Sequence, residues 1–212
     1  MEKDHPLNAH NLFGQLPLEL SLNIKSVNPW WSGQEMPRTP AFNRWPFERL
    51  LRLIKEGMTP AIVLRGPRRV GKTVLLRQAI QALLAEGIQK ERILYIPFDE
   101  LPSLRGIQEP VLAICRWYED DILKQNFNAL ANAGRPVYVF LDEVQNLDSW
   151  APQVKNLVDN HTVRVLITGS SSLRIEAGRD SLAGRITTLE MGPLLLREIA
   201  ELRFESHNES QW

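Results

Sequence analysis

One stretch in the first half of the chain has the residue types and spacing of a phosphate-binding loop. Residues 66–73 read Gly-Pro-Arg-Arg-Val-Gly-Lys-Thr and match the pattern G-x-x-x-x-G-K-[ST]. An apolar stretch at 61–64 comes before them, and apolar residues at helical spacing follow them. This is the order of strand, loop and helix that the pattern requires.

The chemistry of phosphate binding explains these residue types. Glycine lets the backbone curl so that successive N–H groups point at one phosphate, and a helix opening at Lys72 adds the positive end of its dipole. The Lys72 ammonium would reach the β- and γ-phosphates, and the Thr73 hydroxyl would hold Mg²⁺. The expected nucleotide-binding residues of this stretch are Gly66, Pro67, Arg68, Arg69, Val70, Gly71, Lys72, Thr73 and Val74.

Two acidic residues, Asp142 and Glu143, directly follow the apolar stretch 137–141. Charged groups in that position are costly unless the strand ends at a cleft. In a nucleotide site, Asp142 would hold Mg²⁺ through its water shell, and Glu143 would orient and polarise the attacking water. Taken alone the pair could also be a solvated acidic loop, but with the phosphate-binding pattern it indicates nucleotide hydrolysis.

The residues around the acids favour ATP over GTP. A GTPase is expected to show Asp-x-x-Gly after this strand, whereas here Asp142 is followed by Glu-Val-Gln, and the chain has no Asn-Lys-x-Asp guanine-reading sequence. Small-molecule kinases generally lack a glutamate next to the metal-binding aspartate. Glu143 therefore favours hydrolysis of ATP by water.

Further candidates follow the fourth apolar stretch. Thr168 and Ser170 could sense the γ-phosphate or hold the water, or the serines could cap a short helix. Arg185 is a candidate catalytic arginine that acts in its own chain or on a neighbour, or is a surface arginine at the start of a strand. Arg68 and Arg69 could touch phosphates or nucleic acid, pair with acids or lie exposed.

Composition bounds the class of protein. The 212 residues carry 25 basic and 25 acidic side chains, so the zero net charge gives no global attraction to nucleic acid or anionic membranes. The single cysteine, Cys115, cannot form an intramolecular disulfide. The first residues lack the apolar segment of a signal peptide, and no apolar run reaches the about 18 residues of a membrane span, so we expect a soluble cytoplasmic protein.

The order of elements predicts an α/β domain, a doubly wound parallel five-stranded sheet in three αβα layers. The predicted strands are 61–64, 93–96, 137–141, 163–167 and 186–189, and Pro97 suggests that the second is at an edge. Helices are expected at 42–55, from Pro110 to 123, and at 150–158 and 193–202. Prolines disfavour a long helix in an arm at 1–41, whose Trp30 and Trp31 would clamp it to the domain or bind a partner. The domain is expected at 42–204, with a frayed tail at 205–212.

The chain resembles the AAA+-type P-loop ATPases often called archaeal-type ATPases. The resemblance covers roughly 42–202 and rests on Gly-Pro-Arg-Arg-Val-Gly-Lys-Thr, Phe-Leu-Asp-Glu-Val-Gln, Ile-Thr-Gly-Ser-Ser, Ser-Leu-Ala-Gly-Arg and Gly-Pro-Leu-Leu-Leu-Arg-Glu, and includes the Asn-Pro-Trp-Trp of the arm. It implies a P-loop NTPase sheet in the AAA+-like order 5-1-4-3-2, MgATP on residues 66–73, metal binding helped by Asp142 and water activation by Glu143. Family members usually continue into further C-terminal domains, and here only about ten residues follow the last predicted helix.

Three functions are compatible with these observations. The first is an ATPase core that drives an attached or partner module, as a monomer or a homo-oligomer. The second is a nucleotide-dependent switch that binds ATP and hydrolyses it slowly. The third is a DNA-associated motor, suggested by Arg68, Arg69 and the tryptophan pair, against which the zero net charge speaks.

Overall fold

The computed structural model describes residues 16–101, 104, 106–169 and 182–209, with side chains up to residue 203. Five strands form its sheet: β1 Ala61–Arg65, β2 Ile93–Pro97, β3 Tyr138–Asp142, β4 Arg164–Gly169 and β5 Ile186–Glu190. The α-helices are α1 Leu18–Val27, α2 Phe47–Glu56, α3 Lys72–Ala85, α4 Pro110–Tyr118, α5 Phe127–Asn132, α6 Trp150–Asn160 and α7 Leu196–Glu209. Short 3₁₀ turns lie at Pro29–Ser32, Lys90–Arg92 and Val144–Asn146, and a π-helical turn at Glu119–Leu123.

All strand pairs of the sheet are parallel, in the order β2-β3-β4-β1-β5. This is the predicted order 5-1-4-3-2 read from the other edge, and the P-loop NTPase fold class is confirmed. The carboxyl ends of the strands therefore meet at one edge, where β1 gives way to the phosphate loop and β3 ends at Asp142. A ligand that contacts both must sit at that edge.

Helices cover both faces of the sheet, which explains why β1 to β4 are mostly apolar. One face carries Val63, Val139 and Ile167 and packs against α1, α4 and α6. The other face carries Ile62 and Phe140 and packs against α2 and α3. Side chains alternate between these two cores along each strand, as the period of two requires.

The N-terminal segment is part of the domain's core. Leu20 and Ile24 of α1 are fully buried in the same core as the sheet, and the Trp30 and Trp31 indoles both donate to the backbone carbonyl of Ile93. The predicted clamp by the tryptophan pair is confirmed. The ten-residue helix α1 was not expected, and it forms because prolines 17 and 29 flank this stretch and do not interrupt it.

The predicted start of the helix at 42–55 and both predicted ends of the helix at 193–202 differ from the structure. The helix expected from residue 42 begins at Phe47, because Pro46 inside a helix would lack an N–H donor and clash with the preceding turn. It ends at Glu56, one residue after the predicted end, where Gly57 adopts the left-handed conformation of a C-cap. The last helix begins at Leu196 and continues to Glu209, so residues 205–209, expected in a frayed tail, are helical.

Among the residues that the structure describes, none of the helices combines the length and apolar character that crossing a lipid bilayer demands.

Candidate functional site

The loop between β1 and α3 has the conformation of a phosphate cradle. Gly71, the residue before α3, adopts a positive φ of 95°, and Arg69 has a φ of 63°. At Gly66 a β-carbon would overlap the backbone carbonyl of Met191, so the close approach of the segment after β5 requires glycine there. The loop therefore folds tightly back to the start of α3, whose first N–H groups have no partner within the helix and can point at a phosphate. These groups belong to Lys72, Thr73 and Val74.

Lys72 lies within this cradle and is almost fully buried. Its ammonium donates to the carbonyls of Gly66 at 3.1 Å and Pro67 at 2.8 Å. Burial lowers the pKa of Lys72 from its ordinary value, while the nearby charges of Glu143 and Asp142 act in the opposite direction. The lysine and the two acids therefore share one electrostatic environment.

Asp142 is held by hydroxyl groups from the two neighbouring strands. Its Oδ1 accepts from the Thr168 hydroxyl of β4, and its Oδ2 accepts from the Tyr95 hydroxyl of β2 at 3.1 Å. The carboxylate is 1% exposed. Burial raises its pKa, against the effect of these two hydroxyls and of the nearby Thr73 hydroxyl, which favour the ionised form. The structure thus brings both predicted metal-binding residues, Thr73 and Asp142, close together.

Glu143 stands at the turn that follows β3. Its φ of 54° is unusual for a residue other than glycine, and its backbone N–H donates to the Thr168 hydroxyl at 3.0 Å. Its carboxylate accepts from the Gln145 side-chain amide. The half-buried side chain therefore projects from a fixed backbone beside Asp142 and Lys72.

Thr168 ties these acids together. The buried hydroxyl donates to Asp142 and accepts from the Glu143 backbone, so a single side chain fixes the positions of both residues. It was predicted at this end of β4 as a sensor of the γ-phosphate, and its contacts in the structure are with the acids. Ser170, the other predicted hydroxyl, lies outside the described residues.

Arg185 lies away from the phosphate loop, at the start of a strand, which is one of the alternatives that the sequence left open for it. It directly precedes β5, and its carbonyl accepts from the N–H of Ala61, the first residue of β1. Its guanidinium pairs with Asp159. Since β1 has five residues and each strand residue rises about 3.3 Å, this position lies about 16 Å from the edge that bears the phosphate loop.

Arg68 and Arg69 are exposed at the surface of the phosphate loop. The charge of Arg68 contributes to the lowered pKa of Lys72, after the larger effects of burial and the two acids. Exposure was one of the alternatives that the sequence left open for both residues.

Sequence reasoning missed a buried ion pair that braces the phosphate loop. Arg44 Nε donates to Glu198 Oε1 at 2.8 Å, and its other nitrogens donate to the carbonyls of Val70, Gly192 and Pro193. Burial disfavours the ionised Glu198, but hydrogen bonds from Arg44 and from two backbone N–H groups outweigh it and lower its pKa. The signal available in the sequence was the Gly-Pro-Leu-Leu-Leu-Arg-Glu stretch, which ends at Glu198.

Comparison with known proteins places these residues in a family. Residues 58–200 match the family model described as AAA domain. A Haemophilus influenzae protein described as uncharacterized is 29% identical over 142 residues, 64% of this chain and 32% of its own length. A Methanocaldococcus jannaschii protein, also described as uncharacterized, is 32% identical over 152 residues, 69% of this chain and 29% of its own length. The chain thus spans about a third of the length of these curated relatives.

A solved structure shows the same fold. The Walker-type ATPase of Pyrococcus abyssi superposes with a TM-score of 0.60 at 18% identity, covering 84% of this chain and 62% of that one. The family match includes the phosphate loop, both acids and Thr168. With its parallel sheet and its loop geometry, the chain is a nucleotide-binding, ATPase-like domain and belongs to the AAA domain family.

Proposed function

We propose that this chain binds ATP together with Mg²⁺ and hydrolyses it to ADP and phosphate. The observation that carries this proposal is the proximity of Thr73, in the first turn of α3, to Asp142, which ends β3. These residues are distant in sequence and meet beside the buried ammonium of Lys72. A structural acidic loop would not require this convergence of cation, hydroxyl and carboxylate.

Each group has a role in binding the nucleotide. The N–H groups of the loop and of the first turn of α3 bind the β- and γ-phosphates, and Lys72 compensates their negative charge. Because Lys72 is held by the loop's own carbonyls, its ammonium is already directed into the cradle. Little side-chain entropy is then lost when a phosphate binds.

The side chains at this site also suit the binding of Mg²⁺. Mg²⁺ prefers oxygen ligands and is bound in nucleotide sites by one or two protein groups plus substrate phosphates, and Thr73 and Asp142 supply such oxygens close to one another. The ion would neutralise charge that develops on the phosphates. Thr168 and Tyr95 fix the Asp142 carboxylate from its other sides.

Glu143 is the group that acts on water. In the proposed reaction a water oxygen bonds to the γ-phosphorus, the bond to the β–γ bridging oxygen breaks, and Glu143 accepts the water's proton. The hydrogen bond that Glu143 receives from Gln145 must be exchanged for one to that water. This contact favours a second candidate function, a switch that binds ATP and hydrolyses it slowly until a partner frees the glutamate.

We further propose that the domain acts on an attached or partner module, as the archaeal-type members of the AAA family would. The curated relatives are about three times longer than the region they share with this chain. The identity of that module belongs to the proposal, and the chemistry at the loop is independent of it.

The experiment is to measure ATP hydrolysis with Mg²⁺ for the wild type, Lys72→Ala and Glu143→Gln. Lys72→Ala should lose both ATP binding and turnover. Glu143→Gln should bind ATP as the wild type does, and its turnover rate should fall by about a hundredfold or more. Glu56→Gln, at an exposed acid on α2, is the matched control and should be unchanged. Turnover that survives Lys72→Ala would refute the proposal. Tight ATP binding by the wild type without turnover would select the switch.

A further inference from the structure

Tyr95 is a buried tyrosine beside the proposed metal site, and no motif points to it. It lies on β2, 3% exposed, and its hydroxyl donates to Asp142 Oδ2 at 3.1 Å. Thr168 donates to Oδ1 of the same carboxylate from the opposite neighbour strand, β4. Hydrogen bonds from both neighbouring strands thus fix the rotation of the Asp142 carboxylate as well as its position.

Arg77 packs against the tyrosine from α3. It lies one turn after Thr73, and its guanidinium sits over the Tyr95 ring at 5.8 Å from the centroid. A phenol hydroxyl carries a single proton, and the Tyr95 hydroxyl donates it to Asp142. Arg77 is itself paired with Glu100 at 3.5 Å.

The backbone of Tyr95 is held by the N-terminal segment. As the edge strand, β2 pairs with β3 on one side, and its other side faces residues 28–31. The Asn28 side chain accepts from the Tyr95 N–H at 2.7 Å and donates to the Tyr95 carbonyl at 2.9 Å. Asn28 is fully buried and also donates to Ile24. One amide side chain therefore replaces a neighbouring strand at this residue.

We propose that Tyr95 is a positioning residue for the metal-binding carboxylate of Asp142, and that Asn28 acts through Tyr95 to hold it there. This inference rests on the proposed function. It makes the segment of residues 28–31 a part of the metal–nucleotide site as well as a clamp on the fold. Tyr95 needs no contact with the nucleotide for this role.

The alternative is that the Tyr95 hydroxyl donates to Asp142 only because a buried hydroxyl needs a hydrogen-bond partner. The two explanations differ in one measurable quantity, the gain in nucleotide affinity that Mg²⁺ confers. A structural tyrosine would affect stability, or affinity with and without the ion alike. A positioning residue affects the affinity only when the ion is present.

The experiment uses the full chain and a non-hydrolysable ATP analogue, titrated by calorimetry in excess Mg²⁺ and in EDTA. Tyr95→Phe should bind the analogue in EDTA within twofold of the wild type and lose about tenfold or more of the Mg²⁺-dependent gain, the size expected for a hydrogen bond to a charged group. Tyr138→Phe is the matched control. Its ring is buried in the same core as Tyr95, and its hydroxyl has no hydrogen-bond partner in the described part of the chain.

The step through Asn28 is tested by a double-mutant cycle. Asn28→Ala should reduce the Mg²⁺-dependent gain in the wild-type background and add no further loss in the Tyr95→Phe background. If Asn28→Ala does not yield folded protein, Asn28→Asp takes its place in the cycle, because it keeps the acceptor for the Tyr95 N–H. Additive losses would overturn the role of Asn28.

The outcomes separate this inference from the proposed function. If the wild type binds the analogue more tightly with Mg²⁺ and Tyr95→Phe does the same to an equal degree, the positioning role is wrong and the proposed function stands. An equal loss in EDTA and in Mg²⁺ also overturns it. A wild type with no Mg²⁺-dependent binding overturns the proposed function and this inference together.

Discussion

Replacing Arg44 by alanine is expected to destabilise the fold by about 3–5 kcal/mol, the range found when one partner of a buried ion pair is removed. Arg44 and Glu198 are 8% and 2% exposed. The substitution leaves the Glu198 carboxylate buried with two backbone N–H donors, from Trp45 and Leu195, and without its cation. It also removes the donors to the carbonyls of Val70 in the phosphate loop and of Gly192 and Pro193 after β5.

The loss of unfolding free energy should come from breaking the Arg44–Glu198 ion pair and not from either residue alone. Glu198→Ala should destabilise by a similar amount, because it leaves Arg44 buried without a counter-charge. The double variant should lose less than the sum of the two, with a coupling of about 1–3 kcal/mol. Arg52→Ala, at an exposed arginine of α2, is the control, and we expect it to change the stability by less than about 0.5 kcal/mol.

The assay is urea unfolding, followed at several pH values. The hydrogen bonds of Glu198 lower its pKa in the folded state, so its contribution is complete above its ordinary value of 4.5 and is lost as the pH falls through the folded-state pKa. The difference in unfolding free energy between the wild type and Glu198→Gln should therefore be constant near neutral pH and narrow below about 4.5. Additive losses, or a cost of Arg44→Ala below about 1 kcal/mol, would show that the pair does not brace the loop.

The other predictions concern the site and the arm. Thr168→Val should leave the protein folded by circular dichroism and lower ATP turnover about tenfold or more, because Asp142 loses a hydrogen bond to a charged group; unchanged turnover would contradict this. Trp30→Ala should lower the unfolding free energy by about 3–5 kcal/mol, measured in urea, since the indole is buried; a loss under about 1 kcal/mol would mean that the arm is not clamped. Arg185→Ala should leave turnover of the dilute protein within twofold, since Arg185 pairs with Asp159 at the far edge of the sheet; a large loss would place it in an active site.

The sequence was sufficient for the parts of the site whose chemistry is local. The phosphate loop follows from glycines at fixed spacing between a strand and a helix, and the acids follow from charge placed directly after an apolar strand. Strand order and the edge position of β2 agreed with the structure. The loop and the acids depend on backbone conformation and burial that a short window of residues determines, whereas the strand order was implied by the family resemblance.

The parts that failed depend on contacts between distant residues. Arg44 and Glu198 are 154 positions apart, and Asn28 and Tyr95 are 67 apart, so no periodicity connects them. For Arg185 the sequence left a catalytic role and a surface position open, and its place directly before β5 puts it at the end of the sheet opposite the phosphate loop.

Helix boundaries failed where one residue overrides a periodic pattern. The apolar spacing from Phe42 onward suits a helix, yet Pro46 delays its start to Phe47. Phe42 is instead buried outside the helix, and its carbonyl accepts from Gln78 of α3. The apolar spacing correctly predicted a helix here, but residues 42–46, its predicted first turn, are not helical.

The most direct test is a crystal structure of the Glu143→Gln variant grown with ATP and Mn²⁺, which anomalous scattering locates without ambiguity. We predict one Mn²⁺ between the Thr73 hydroxyl and the Asp142 carboxylate, directly or through its water shell, with the β- and γ-phosphates on the N–H groups of residues 66–74. A nucleotide bound elsewhere, or a metal ion remote from both Thr73 and Asp142, would contradict the assignment of this edge of the sheet as the site of ATP hydrolysis.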